Sequence, residues 1–249
     1  MESLTAPAQR TLLSPGGLTL LAQASGASLP VDWAADPGER DAAVLVGQRL
    51  VDVQGRPTVQ VERGFAPWRE PLLTVSVELA PVQRGRSTSS LDKGFSAHLT
   101  LSQDRVLSVL RRPDLGLVEL SFGDAPGFGE HLSRLLAPLG SPAQGDPFEL
   151  PHETFDVLSQ RGGRGLGSDV LDGRADSLAA AAQLLRRTTR ILTVVVARPG
   201  GVFGLRLWYD AAGWWEVGPS ERAVPRTVRL RPGVPALPTL APLVAGALG

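Results

Sequence analysis

Three histidines, His98, His131 and His152, are the first side chains to test for chemistry. None stands in a metal-ligand spacing such as H-E-x-x-H, which puts two imidazoles one turn apart on a helix face. His98 is expected on the polar face of a strand, and His131 and His152 near helix starts, as ordinary surface or capping residues. No G-x-S-x-G elbow occurs, no Ser/His/Asp set stands out, and the carboxylates are spread without a catalytic pair. The absence of cysteine excludes disulfides, thiolate metal sites and cysteine nucleophiles. The run Gly162-Gly163-Arg164-Gly165-Leu166-Gly167 has the look of a phosphate loop. It lacks the Lys-Ser/Thr ending, however, and it follows a helix instead of opening one after a strand, so it is read as an inter-helix loop. The chain is therefore expected to be no enzyme, with no cofactor and no metal.

The remaining candidates are binding residues. Arg84 and Arg86 stand in the polar stretch Ala80 to Gly94, a long hairpin connection suited to an acidic partner or to a solvated tip. Trp208, Trp214 and Trp215 crowd one hairpin. Adjacent Trp214 and Trp215 must point to opposite faces of a strand, so one enters the core and the other meets solvent, a helix layer or a partner. Tryptophan anchors interfaces because it buries much area at small entropic cost.

These residues belong to a chain of 249 residues with 43% apolar content, enough for a real core. Its 25 basic and 25 acidic residues cancel, and Lys93 is the only lysine. Without a basic stripe, no nucleic-acid partner is expected, and Arg161 and Arg174 beside the glycine run are weak evidence for one. The stretch Thr11 to Ala22 is broken by Ser14-Pro15-Gly16-Gly17 and reads as a helix start, not a secretion signal. Val234 to Gly249 is uncharged, yet it holds three prolines and is short for a bilayer. No membrane insertion and a cytoplasmic location are the expectations.

The elements repeat. Leu72-Leu73-Thr74-Val75-Ser76-Val77 answers Ile191-Leu192-Thr193-Val194-Val195-Val196, and Phe95 to Leu110 aligns without gaps on Phe203 to Gly218. In the first copy Leu73, Val75, Val77 and Leu79 alternate with polar residues, the period of a strand with one buried face. A third strand follows, Leu117 to Phe122 against Thr227 to Arg231, and then a helix. Its stripe is Phe128, Leu132, Leu135, Leu136 and Leu139 in one half and Leu240, Leu243, Val244 and Ala247 in the other. Ser14 caps an opening helix with Pro15 first and Gly26 as its stop, and Pro151 starts the matching helix, stopped by Gly162. Further helices are predicted at Glu39 to Val51, Pro57 to Trp68 and Ser177 to Arg187. Each half thus reads helix, helix, strand, hairpin, strand, helix. The prediction is an α+β fold over 1–249 as a single domain. Two pseudo-symmetric halves, 10–140 and 148–249, are joined by the linker 141–147. Each half contributes helices and a mostly antiparallel sheet, and the two sheets are expected to join or pack into one unit with pseudo-twofold symmetry.

The element order resembles the EspG family, chaperones of ESX (type VII) secretion. The local likeness runs from Arg49-Leu50-Val51-Asp52 through Gly55-Arg56-Pro57 to Leu72-Leu73-Thr74-Val75. It continues over Phe95 to Leu139, including Asp104-Arg105-Val106-Leu107-Ser108-Val109. The resemblance covers most of the chain and rests on pattern, with no signature residue, and it implies that the two halves share one central sheet flanked by helical bundles. The second half departs from it in lacking the usual charged loop between first strand and hairpin. It implies a non-catalytic cytoplasmic binding protein that holds the apolar tip of a helical secreted protein of PE-PPE or WXG type. The implied contacts are the Ala80 to Gly94 loop, the Trp208 hairpin and the second helical bundle. The other reading of the residues is a structural or self-assembling protein of a multiprotein complex. Both are compatible with a monomer or a homodimer.

Overall fold

In the computed structural model, residues 9–30, 33–82, 94–112, 115–136, 142–160, 175–219, 227–233, 240 and 242 are described. The strands are β1 Gln9–Leu13, β2 Leu73–Pro81, β3 Phe95–Leu101, β4 Arg105–Arg112, β5 Leu117–Asp124, β6 Phe148–Pro151, β7 Arg190–Arg198, β8 Gly201–Asp210, β9 Gly213–Pro219 and β10 Thr227–Pro232. The helices are α1 Pro15–Ala24, α2 Asp41–Gly47, α3 Val59–Gly64, α4 Ala66–Arg69, α5 Phe128–Leu136, α6 His152–Gln160 and α7 Ala175–Arg187. This is an α+β protein built on one large antiparallel sheet.

The sheet has ten strands in the order β1-β5-β4-β3-β2-β7-β8-β9-β10-β6. Its middle is the β2–β7 ladder, with Val75 opposite Val196 and Val77 opposite Val194. Outward from that ladder each side runs hairpin, third strand, edge strand: β3, β4, β5, β1 on one side and β8, β9, β10, β6 on the other. The hairpin registers also correspond. Leu101 faces Val106, and 108 residues further on Tyr209 faces Trp214.

The edge strands are absent from the sequence reading, which begins each half with a helix, after the Ser14 cap in the first and at Pro151 in the second. Gln9–Leu13 pairs with β5, Leu13 opposite Val118. Phe148–Pro151 pairs with β10, Leu150 opposite Val228. Strands of five and four residues are too short to display a period of two. Helix boundaries also shrink. Glu39 to Val51 becomes Asp41–Gly47, and Pro57 to Trp68 splits into α3 and α4 at Phe65. The Ser14 cap holds: its Oγ accepts from the Gly17 N–H at 2.9 Å, and Gly26 sits at φ 65°, the left-handed region that ends a helix.

Three apolar clusters divide the two sheet faces. On the first face Leu73, Val75, Val77, Leu192, Val194 and Val196 pack under Phe128, Leu132, Leu135 and Leu136 of α5, with Leu240 buried among them. On the second face, α1 to α4 cover Leu107, Val109, Val118 and Leu120 at one end. At the other end of that face, α6 and α7 cover Trp208, Trp215, Val217 and Leu230. Leu139, Gly162, Leu243, Val244 and Ala247 lie outside the described residues. Pro142 bridges Trp214 and Ala143 donates its N–H to the Trp214 carbonyl at 3.0 Å, so the chain lies against β9 at 142–143.

Candidate functional site

The middle of the second face lies between the two helical layers. Register places four short rows across β3, β2, β7 and β8: Thr100-Thr74-Ala197-Val202, His98-Ser76-Val195-Gly204, Ser96-Glu78-Thr193-Arg206, and Ala80-Ile191-Trp208 on the last three strands. Side chains alternate across a strand, so these share one face while Val75, Val77, Val194 and Val196 enter the α5 core. Ser76, Thr74, Val195 and Ala197 are only half-buried, and Glu78, Val202, Gly204 and Arg206 are exposed. The two rows Thr100-Thr74-Ala197-Val202 and His98-Ser76-Val195-Gly204 carry hydroxyls at Thr74, Ser76 and Thr100 and apolar groups at Val195, Ala197 and Val202, while the next row brings the exposed charges of Glu78 and Arg206 onto the same face.

Two aromatic groups bound this floor. Trp33 stands edge-on to His98, ring centroids 5.1 Å apart at 76°. His98 in turn shares a 3.0 Å hydrogen bond through Nδ1 with Ser76 Oγ. On β8, Trp208 stacks on Phe155 of α6 at 5.3 Å and 21°. β3 and β8 are three strand spacings apart, about 14 Å, and an α-helix with its side chains is roughly 10–12 Å wide. That spacing, measured between strand axes, is comparable to the breadth of one helix.

All three hairpin tryptophans are buried: Trp208 is 3% exposed, Trp214 5% and Trp215 7%. Of the alternatives for the adjacent pair, the structure takes the helix layer. Trp214 turns to the first face beside Tyr209, 4.9 Å between centroids. Trp215 turns to the second face beside Phe148, at 6.0 Å. Among the described residues the three indole N–H groups find no acceptor. Arg84 and Arg86 lie outside the described residues. The loop that carries them is rooted at the Trp208 end of the floor. Val82 donates its N–H to the Thr189 carbonyl at 2.9 Å, and at Gly94, where the chain returns, an added Cβ would overlap the Leu79 carbonyl.

The other histidines are placed elsewhere. His152 pairs with Asp156 at 3.0 Å on exposed α6. His131 is buried on α5, beside Glu119, which joins Arg134 at 3.7 Å and Arg10 at 4.0 Å. Burial first, then the Arg134 charge, holds the His131 imidazole below its ordinary value of 6.5. His98 and Arg206 share a face but stand three strands apart, about 14 Å, too far for one proton transfer or a shared substrate atom. Among the described residues no group of three or more His, Asp or Glu is arranged to hold a metal ion, and no helix is long and apolar enough to cross a membrane. Sequence reasoning missed the floor and Trp33, because Trp33 sits in a loop with no periodicity and only its contacts single it out.

No family model and no curated protein matches this sequence. Among solved structures, the chain is similar to the Mycobacterium tuberculosis type VII secretion system chaperone EspG5, solved in complex with a PE25-PPE41 dimer. The TM-score is 0.63 at 16% identity, covering 92% of each chain. The likeness is one of fold.

Proposed function

We propose that this chain is a non-catalytic cytoplasmic binding protein that holds the apolar tip of a helical partner. In this reading the partner lies in the opening of the second sheet face. The observation that carries it is the floor itself. A large sheet is covered by helices at both ends of this face, yet its middle is left to half-buried Thr74, Ser76, Val195 and Ala197 and exposed Val202. Small side chains allow a helix to approach the sheet closely, and burying an apolar tip there removes from water a surface that otherwise aggregates. The EspG5-like fold supports the same reading, since that chaperone was solved with a PE-PPE dimer. A PE-PPE-like or WXG-type helical hairpin is the partner kind we assign.

Within this proposal Trp208 serves as a wall with Phe155, and Trp214 and Trp215 fix the hairpin that carries it. Arg84 and Arg86 contact the partner from the loop rooted beside the floor. The matching strand order and the shared hairpin register support a duplication, with halves 10–140 and 148–249 about a pseudo-twofold axis at the β2–β7 ladder. The segment 141–147 connects the halves within one domain.

The test is co-expression with helical-hairpin proteins encoded beside this chain, followed by gel filtration. A one-to-one complex is expected. If every hairpin elutes apart from the chain, the proposal is wrong.

A further inference from the structure

We infer that Glu78 and Arg206 read a pair of opposite charges on the helical partner, a cationic group on its β2 flank and an anionic group on its β8 flank, beside the apolar tip. The inference rests on the proposed docking of that partner on the middle of the second face. It adds what the partner must carry to fit there.

Register puts both residues in one row, with Glu78 of β2 and Arg206 of β8 each opposite Thr193 of β7. Two strand spacings separate them, about 10 Å. Both are exposed, while Thr193 between them and Ser96 on β3 are half-buried. Among the described residues neither Glu78 nor Arg206 has an ion-pair partner. Arg111, the next charge along the row, is half-buried on β4 and is not free.

Other charges on this sheet are matched strand to strand. Arg105 stands opposite Asp124 and bonds it at 2.6 Å. Arg231 stands opposite Glu216 and holds both of its carboxylate oxygens, at 3.0 and 2.9 Å. Directly opposite charges support each other across a sheet. Glu78 and Arg206 instead each face a threonine, one strand too far apart for that arrangement.

Their place on the face gives this a consequence. On one side lies the row of Ser76, Val195 and Gly204. On the other lies the row of Ile191 and Trp208, closed by Phe155. Successive rows are about 7 Å apart, little more than the 5.4 Å pitch of a helix. A helix seated over Val195 therefore brings its neighbouring turn to the charged row.

In the free chain water solvates both charges. A docked helix removes that water, and an apolar turn gives nothing back. A cation against Glu78 and an anion against Arg206 replace the water with charge-assisted hydrogen bonds. Since the two flanks differ in sign, a partner with its charges exchanged meets like against like at both. The row thus selects the partner's orientation as well as its charge.

The experiment uses fluorescence anisotropy on the full chain with fluorescein-labelled, disulfide-closed helical hairpins of alanine and leucine. One hairpin carries lysine and glutamate on opposite flanks, one turn behind its tip. A second has the two exchanged, and others carry two lysines, two glutamates or two alanines. One mixed hairpin should bind at least about tenfold more tightly than its exchanged form and than both like-charged forms. The preference should shrink between about 0.05 M and about 0.5 M salt. Glu78→Arg combined with Arg206→Glu keeps the net charge and, with its fold checked by circular dichroism, should invert the order of the two mixed hairpins. Val195→Trp should weaken all the hairpins alike. Equal binding of every hairpin, lost in Val195→Trp, overturns the inference and leaves the docking reading standing. So does a preference that the double substitution fails to invert. If no hairpin binds, or if binding ignores Val195→Trp, the docking reading falls and the inference falls with it.

Discussion

Replacing Trp208 by alanine separates a structural tryptophan from a contact residue. The ring is 3% exposed and stacks on Phe155 at 21°. A buried tryptophan removes about 150–250 Å² from water, which at about 25 cal/mol per Å² is an upper bound near 4–6 kcal/mol. Alanine keeps a little of this, and the cavity left under α6 adds to the loss. Trp208→Ala should therefore cost about 3–5 kcal/mol, a large share of the roughly 5–15 kcal/mol that holds a domain together. For a chain of this size the melting temperature should drop by about 6–20 °C. Among the described residues the indole N–H finds no acceptor, so Trp208→Phe, which removes the donor and keeps a ring, should cost only about 1 kcal/mol. Urea unfolding followed by far-ultraviolet circular dichroism reads both, because the signal does not depend on the tryptophan removed. If Trp208→Ala leaves the urea midpoint unchanged while partner binding collapses, the ring is a contact and the wall assignment is wrong.

Other expectations follow from single contacts. Gly64→Ala places a Cβ into the Phe122 ring and should cost about 1–3 kcal/mol by thermal melt; unchanged melting would mean that the α3 packing on β5 is misplaced. Ser14→Ala removes the 2.9 Å bond to the Gly17 N–H and should cost about 1 kcal/mol by urea titration. His131 keeps its proton less readily when folded than its ordinary 6.5, so the unfolded chain protonates first. Its share of stability is complete above 6.5 and is lost as pH falls from there toward the folded-state value. Urea midpoints at about pH 7.5 and about pH 5.5 should therefore differ less in His131→Leu than in the parent chain; equal differences would remove His131 as the source.

Much of the sheet was legible because its strands bury one face or lie under helices. The alternation at Leu73, Val75 and Val77, and the gapless match of Phe95–Leu110 to Phe203–Gly218, mark strands that the ladders then pair. The Ser14-Pro15 start was legible because a cap is local chemistry. β1 and β6 were not, since four or five residues at an edge owe their state to the neighbour they pair with rather than to their own pattern. The floor was invisible for a related reason. Thr74, Ser76 and Val195 read as ordinary strand residues, and only the tertiary placement of Trp33 and of the α6–α7 layer leaves them half-buried. The tryptophans stand out in the sequence, but their burial depends on helix layers whose positions no local signal gives.

The central claim is that the uncovered middle of the sheet receives a helix, and Val195→Trp addresses it most directly. Val195 is half-buried between Ser76 and Gly204, so an indole there occupies the opening while the α5 core on the other face stays intact. Calorimetric titration with a helical-hairpin partner should show at least tenfold weaker binding for a variant that remains folded. An unchanged dissociation constant for that variant would contradict the account.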